Sequence, residues 1–165
     1  MEINKNFVEH YGLSNTDLEL TMKSYAPGKV KAKEYFLKEG QVSDKIGFVK
    51  SGILRMFIHD EDNNDITTQF FSAGSLIISF DSFNNQVPTR ENVVAMEDAE
   101  LMVMTYPKLQ ELYQRVPVWQ QICKDLADKK SQDMHQRSIQ LQTLSATERY
   151  RQLCLDDPKV IQKVA

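Results

Sequence analysis

A chain of 165 residues with 41% apolar side chains can fill one sizeable core and has little left over for a second. Charged residues make up 26%, Gly and Pro are few, and a net charge of −3 gives the chain as a whole no attraction for nucleic acid, so disordered, fibrous and polyanion-coating classes are excluded. Cys123 and Cys154 stand far apart without a CxxC partner, which rules out a disulfide framework and a zinc or iron–sulfur site and fits a reducing cytoplasm. The first residues mix Glu2, Lys5, Glu9 and His10 with apolar side chains, unlike a signal peptide, and the apolar runs Ile53–Ile58 and Leu76–Ile78 fall well short of the ~20 residues a membrane span needs.

The first predicted element is a helix over Leu18, Leu20 and Met22, with Ser14 as N-cap, Asp17 in capping-box spacing, and an end before Pro27–Gly28. From Lys29 to about Thr105 short runs rich in Val, Ile, Phe and Tyr alternate with turns at Gly40, Ser51–Gly52, Asn63–Asn64 and Ala73–Gly74, the pattern of consecutive antiparallel strands. Leu54, Met56 and Ile58 alternate with Arg55, Phe57 and His59, and Ile66, Thr68 and Phe70 with Thr67, Gln69 and Phe71. Bulky residues on both faces suit a closed double-layered sheet, a jelly roll or β-roll, better than a flat sheet with one wet face. Val93–Met96 and Leu101–Met104 are expected to form the final hairpin.

After Pro107 the period becomes helical. Leu109, Leu112, Tyr113 and Val116 mark a short helix ended by Pro117, and a long helix follows over about Val118 to Leu144, ~40 Å at 1.5 Å per residue. Trp119, Ile122, Leu126, Lys130, Met134, Arg137, Leu141 and Leu144 form a narrow stripe along it, read as the seam of a homodimer, with burial on the chain's own sheet as the alternative. Ser145–Ala146–Thr147–Glu148 is a capping box that opens a helix from Arg149 to Leu155. Asp157 and Pro158 open another, with Val160, Ile161 and Val164 as its apolar face.

Residues able to carry catalysis are scarce. The three histidines, His10, His59 and His135, are scattered, and His59 has no second histidine on its strand to make a metal pair. Asp60, Asp62 and Asn64 hint at a calcium loop, but Asp65 replaces the required Gly and Phe71 the closing Glu, so a solvated turn is the better account. There is no glycine-rich phosphate loop. Neither a catalytic set nor a metal set is expected.

The stretch from Asp44 to Arg55, containing Lys50–Ser51–Gly52–Ile53–Leu54–Arg55, resembles the strand, Ser-Gly turn and strand of bacterial regulators of the Crp/Fnr family. Gln69–Phe70–Phe71–Ser72–Ala73–Gly74 is similar to that family's next strand and turn, and Thr147–Glu148–Arg149–Tyr150 to its first helix after the dimer helix. Order and spacing carry the resemblance over nearly the whole chain. It implies an α+β protein: a double-stranded β-helix sensor of cyclic-nucleotide-binding type with its N-terminal helix in residues 1–106, a short helix and a long dimerisation helix in 107–144, and in 145–165 the start of a winged helix-turn-helix. The recognition helix that would enter DNA falls after the second short helix, where the chain stops, and residues 145–165 carry a net charge of only +1, so weak or absent DNA binding is expected of this chain.

The implied effector pocket departs from the family. Ile78, Ser79 and Phe80 stand where cyclic-AMP-binding members carry Gly-Glu-Leu, and Thr89 and Arg90 where they carry Arg-Ser. The ribose carboxylate is missing and the arginine comes one residue late, which on an extended segment turns it to the other face. Met134 and His135 occupy the positions that contact the base. The expectation is therefore against cyclic AMP, with another small effector or none, and no cofactor. A cupin-like jelly-roll enzyme, a sugar-binding module and a stand-alone cyclic-nucleotide-binding module are the alternatives to a transcription regulator.

Overall fold

The computed structural model describes residues 5–156, which divide into one compact unit ending at Val118 and a second beginning at Trp119. The first unit opens with α1 (Lys5–Tyr11) and α2 (Asn15–Ser24). α2 starts where the sequence says it should: the Ser14 hydroxyl accepts from the Asp17 amide at 3.2 Å and the Asp17 carboxylate accepts from the Ser14 amide at 2.9 Å. α1 is not foreseen, since none of its residues is buried and no apolar stripe marks it.

Eight strands follow: β1 (Ala26–Val30), β2 (Tyr35–Leu37), β3 (Lys45–Ser51), β4 (Leu54–His59), β5 (Asp65–Phe71), β6 (Leu76–Ile77), β7 (Asn92–Ala95) and β8 (Ala99–Thr105). They form two antiparallel four-stranded sheets, β1-β8-β3-β6 and β2-β7-β4-β5. Val49, Ile77, Ala99 and Leu101 from the first pack with Leu54, Met56, Phe71, Val93 and Ala95 from the second, a jelly roll filled from both sides. α4 (Tyr106–Arg115), with Pro107 in its first turn and Leu109 and Leu112 buried, packs against α2 and β8.

Each turn read from the sequence holds a residue in the left-handed region, Gly40, Gly52, Asn63 or Gly74. Gly52 is the most constrained: φ is +89°, and an added Cβ would lie 2.6 Å from the Asp98 carbonyl oxygen and 2.7 Å from the Ala99 Cα. Pro27 and Gly28, before which the first helix is expected to end, belong to β1, an edge strand where a missing amide is tolerated.

Two expectations are corrected. Val93–Met96 and Leu101–Met104 do not make a hairpin: β7 pairs with β2 and β4, β8 with β1 and β3. Asp98, between them, accepts from the Ala32 amide at 3.0 Å and the Lys31 ammonium at 2.7 Å, carrying the connection from one sheet to the other. The even alternation along β5 also fails. Gln69 stands opposite Met56 but Thr67 opposite Phe57, so Thr68 bulges out of the ladder and Ile66 and Phe70 fall on opposite faces.

The second unit holds α5 (Val118–Thr143) and α6 (Ala146–Asp156). Of the predicted stripe, Trp119 and Ile122 are buried, Leu126 and Lys130 half-buried, and Met134, Arg137 and Leu141 exposed on α5, while Leu144, half-buried, lies just past its end. The Ser145 hydroxyl accepts from the Glu148 amide at 3.3 Å and the Glu148 carboxylate from the Ser145 amide at 2.8 Å, so α6 begins on its predicted box. The helix expected at Asp157–Pro158, with Val160, Ile161 and Val164, lies outside the described residues. Among the described residues no helix is long and apolar enough to cross a membrane.

Candidate functional site

Between β6 and β7 the chain makes a compact cassette. After Ile77 it passes through the half-buried Ile78 and the buried Ser79 into α3 (Phe80–Asn85), leaves through Gln86 at φ +52°, and reaches Thr89 and Arg90. Ser79 occupies the N-cap, yet its hydroxyl does not cap the helix. It lies 3.0 Å from the Thr89 hydroxyl, and that oxygen also accepts from the Glu91 amide at 2.9 Å.

The loop between β2 and β3 clamps the other side of the cassette. The Gly40 amide donates to the Thr89 carbonyl and the Thr89 amide to the Gln41 carbonyl, each at 2.8 Å, and Val42 bridges to Pro88. Ser82, buried on α3, accepts from the Ser43 amide at 2.8 Å and donates to the Val87 carbonyl at 2.5 Å. The Gln86 side chain donates from Nε2 to the Phe83 carbonyl at 2.7 Å and to the Ser43 carbonyl at 3.3 Å. Phe83 is 2% exposed, with its ring edge-on to Tyr106 at 5.3 Å.

The cassette's buried polar side chains, Ser79, Ser82 and Thr89, are therefore neutral and already hydrogen-bonded, while Arg90 is exposed. Such a site offers hydroxyl donors and acceptors and no buried cation for a phosphate. Of the positions singled out in the sequence, the fold brings Ser79 and Thr89 together. Ile78 and Phe80 flank Ser79, both half-buried, and Met134 and His135 belong to the second unit, on the exposed part of α5. Sequence reasoning missed α3, whose six residues are too short for a periodic signal, and with it Ser82. Among the described residues no group of His, Cys, Asp and Glu is placed to hold a metal ion.

Solved structures share this fold. The catabolite activator protein of Thermus thermophilus superposes with a TM-score of 0.67 at 20% identity, covering 81% of this chain and 61% of its own. The chain thus spans less than two thirds of that protein. The c-di-GMP-responsive global regulator CLP of Xanthomonas campestris gives 0.67 at 17% identity, covering 87% of this chain and 72% of its own. The regulatory subunit of a cAMP-independent protein kinase A from Trypanosoma cruzi, bound to guanosine, gives 0.60 at 18% identity, covering 79% and 44%. No curated protein sequence matches. The family described as cyclic nucleotide-binding domain matches residues 27–116, from β1 through the cassette to the end of α4, more than half of the sequence, and the chain belongs to that family.

Proposed function

We propose that this chain is the sensing and dimer-forming part of a transcription regulator of Crp/Fnr type, with a binding and regulatory role and no catalysis of its own. One observation carries the reading: the roll is followed, after α4, by a 26-residue helix on which Met134, 62% exposed, and Leu141, 57% exposed, hold apolar side chains in water. A second copy of α5 would cover them, and α6 would begin the DNA-binding part. On this reading residues 1–106 sense, 107–144 dimerise and relay, and 145–165 open the winged helix-turn-helix, which by themselves bind DNA weakly or not at all. Structural neighbours that are bacterial regulators, the Thermus and Xanthomonas proteins among them, support it.

The effector is not cyclic AMP. Its cyclic phosphate would be taken out of water against Ser79 and Thr89, losing a charge-assisted pair worth about 1.5–3 kcal/mol, or roughly one to two decades of affinity. A neutral cassette suits an uncharged ligand with hydrogen-bonding groups, a nucleoside being one such class, and the similar kinase regulatory subunit of Trypanosoma cruzi is bound to guanosine. Ile78 and Phe80, on either side of Ser79, are the further residues proposed to line the effector site. A stand-alone nucleotide-binding module or a cupin-like enzyme or sugar-binding module would have no use for the exposed side chains of α5.

The test is a thermal-shift titration with cyclic AMP, cyclic GMP, cyclic di-GMP and guanosine, with light scattering on the same sample. A dimer mass and no shift with cyclic AMP are expected. A monomer at tens of micromolar would overturn the dimer seam, and a saturable shift with cyclic AMP would overturn the effector assignment.

A further inference from the structure

Three charged side chains, Arg55 of β4, Asp65 of β5 and Glu39 of the β2–β3 loop, gather around the ring of His59. His59 presents Nδ1 to Glu39 Oε2 at 2.7 Å and Nε2 to Asp65 Oδ1 at 3.5 Å, so both ring nitrogens face carboxylate oxygens. Asp65 is also paired with Arg55, Nη2 to Oδ2 at 2.5 Å, and the Arg55 guanidinium lies 4.3 Å from the centre of the Phe57 ring, whose edge-on neighbour is His59 at 5.5 Å. A neutral imidazole donates from one nitrogen and presents a lone pair at the other, which here would face a carboxylate. The doubly protonated ring donates to Glu39 and holds its second N–H beside Asp65 as an ion pair. The groups facing it are Glu39 from the β2–β3 loop, Asp65 from β5, Arg55 from β4 itself and Asp60 just beyond β4. With an imidazolium the four-residue set of Glu39, Asp65, Arg55 and His59 is neutral; with a neutral ring it carries −1.

Glu39 is the first residue of the clamp on the cassette. Its amide donates to the buried Asn92 Oδ1 at 3.0 Å, and the next two residues, Gly40 and Gln41, make the backbone pair with Thr89 that sets Thr89 against Ser79. We infer that His59 is a proton-operated latch on the cassette: charged, it ties the end of β4 to the β2–β3 loop through an ion pair with Glu39 and holds the Gly40–Thr89 pairing closed; neutral, it keeps only an uncharged hydrogen bond to Glu39 and loosens the clamp. Histidine is the side chain that changes charge across the physiological range, so the latch would make the cassette's openness respond to pH without any ligand. It rests on the preceding reading only in taking the cassette as the effector site.

The experiment is an NMR titration of the ligand-free chain between about pH 5.5 and 8, following the His59 ring and the Gly40 and Thr89 amides. Both amides should move with the midpoint of His59 and not with those of His10 or His135. In His59→Gln they should be flat, and in Glu39→Gln the Thr89 response should fall several-fold while the His59 ring still titrates. Wild-type Gly40 and Thr89 amides that stay still while His59 titrates would overturn the latch, as would an unchanged response in His59→Gln. Neither result depends on which effector binds or whether the chain dimerises, so failure of the latch is separate from failure of the regulator reading.

Discussion

Thr89 is tied into the cassette by every polar group it owns: amide to Gln41, carbonyl to Gly40, hydroxyl to Ser79 and Glu91. Thr89→Val keeps shape and backbone pairing but strands the Ser79 hydroxyl and the Glu91 amide. It should therefore lower stability by about 1–2 kcal/mol in urea denaturation. Placing Ser79 and Thr89 in one cassette was within reach of the sequence. That their hydroxyls bond each other was not, because the choice between capping α3 and turning to Thr89 depends on a side-chain rotamer set by the fold. At Asp98 the Lys31 ammonium and the Ala32 amide hold the carboxyl below its ordinary 3.8. A carboxylate depressed in the folded state stabilises above its unfolded value and loses that contribution as pH falls through the lower folded one. Urea midpoints followed from about pH 6 down to 3 should thus fall less steeply in Asp98→Asn than in the wild type, and equal slopes would show that the contact contributes nothing.

The elements with a local chemical signature were legible. Two capping boxes fixed the starts of α2 and α6, and turn residues located the ends of β3 and β5. What hid was non-local. Period-two patterning says which way a side chain faces but not which strand lies beside it, so β7 and β8 read as a hairpin although they lie in different sheets. The bulge at Thr68 left no trace because β-branched Thr is at home in any strand. The turn at Gly52 gives the sharpest test at this scale. Gly52→Ala places a side chain at positive φ and drives its Cβ onto the Asp98–Ala99 backbone, so a loss of about 2–4 kcal/mol in unfolding free energy is expected. A loss below 1 kcal/mol would mean that the turn relaxes.

For the whole molecule, Met134 and Leu141 decide whether α5 has a partner. If α5 forms the proposed seam, the Met134→Glu, Leu141→Glu double variant should have a lower mass than the wild type by light scattering at the same concentration, with the roll's thermal transition unchanged, because neither side chain contributes to the roll's core. A dimer that survives both charges would place the seam elsewhere. The topology of the roll also governs how it comes into being. β1 pairs only with β8, Ala26 against Val103 through Val30 against Ala99, so the first strand made waits for the last. On a ribosome adding roughly 5–20 residues per second, the nascent chain carries β1 unpaired for several seconds. Until Thr105 has cleared the exit tunnel, its apolar residues have no finished sheet to close on, and that interval, rather than the stability of the finished roll, is where aggregation would compete with folding.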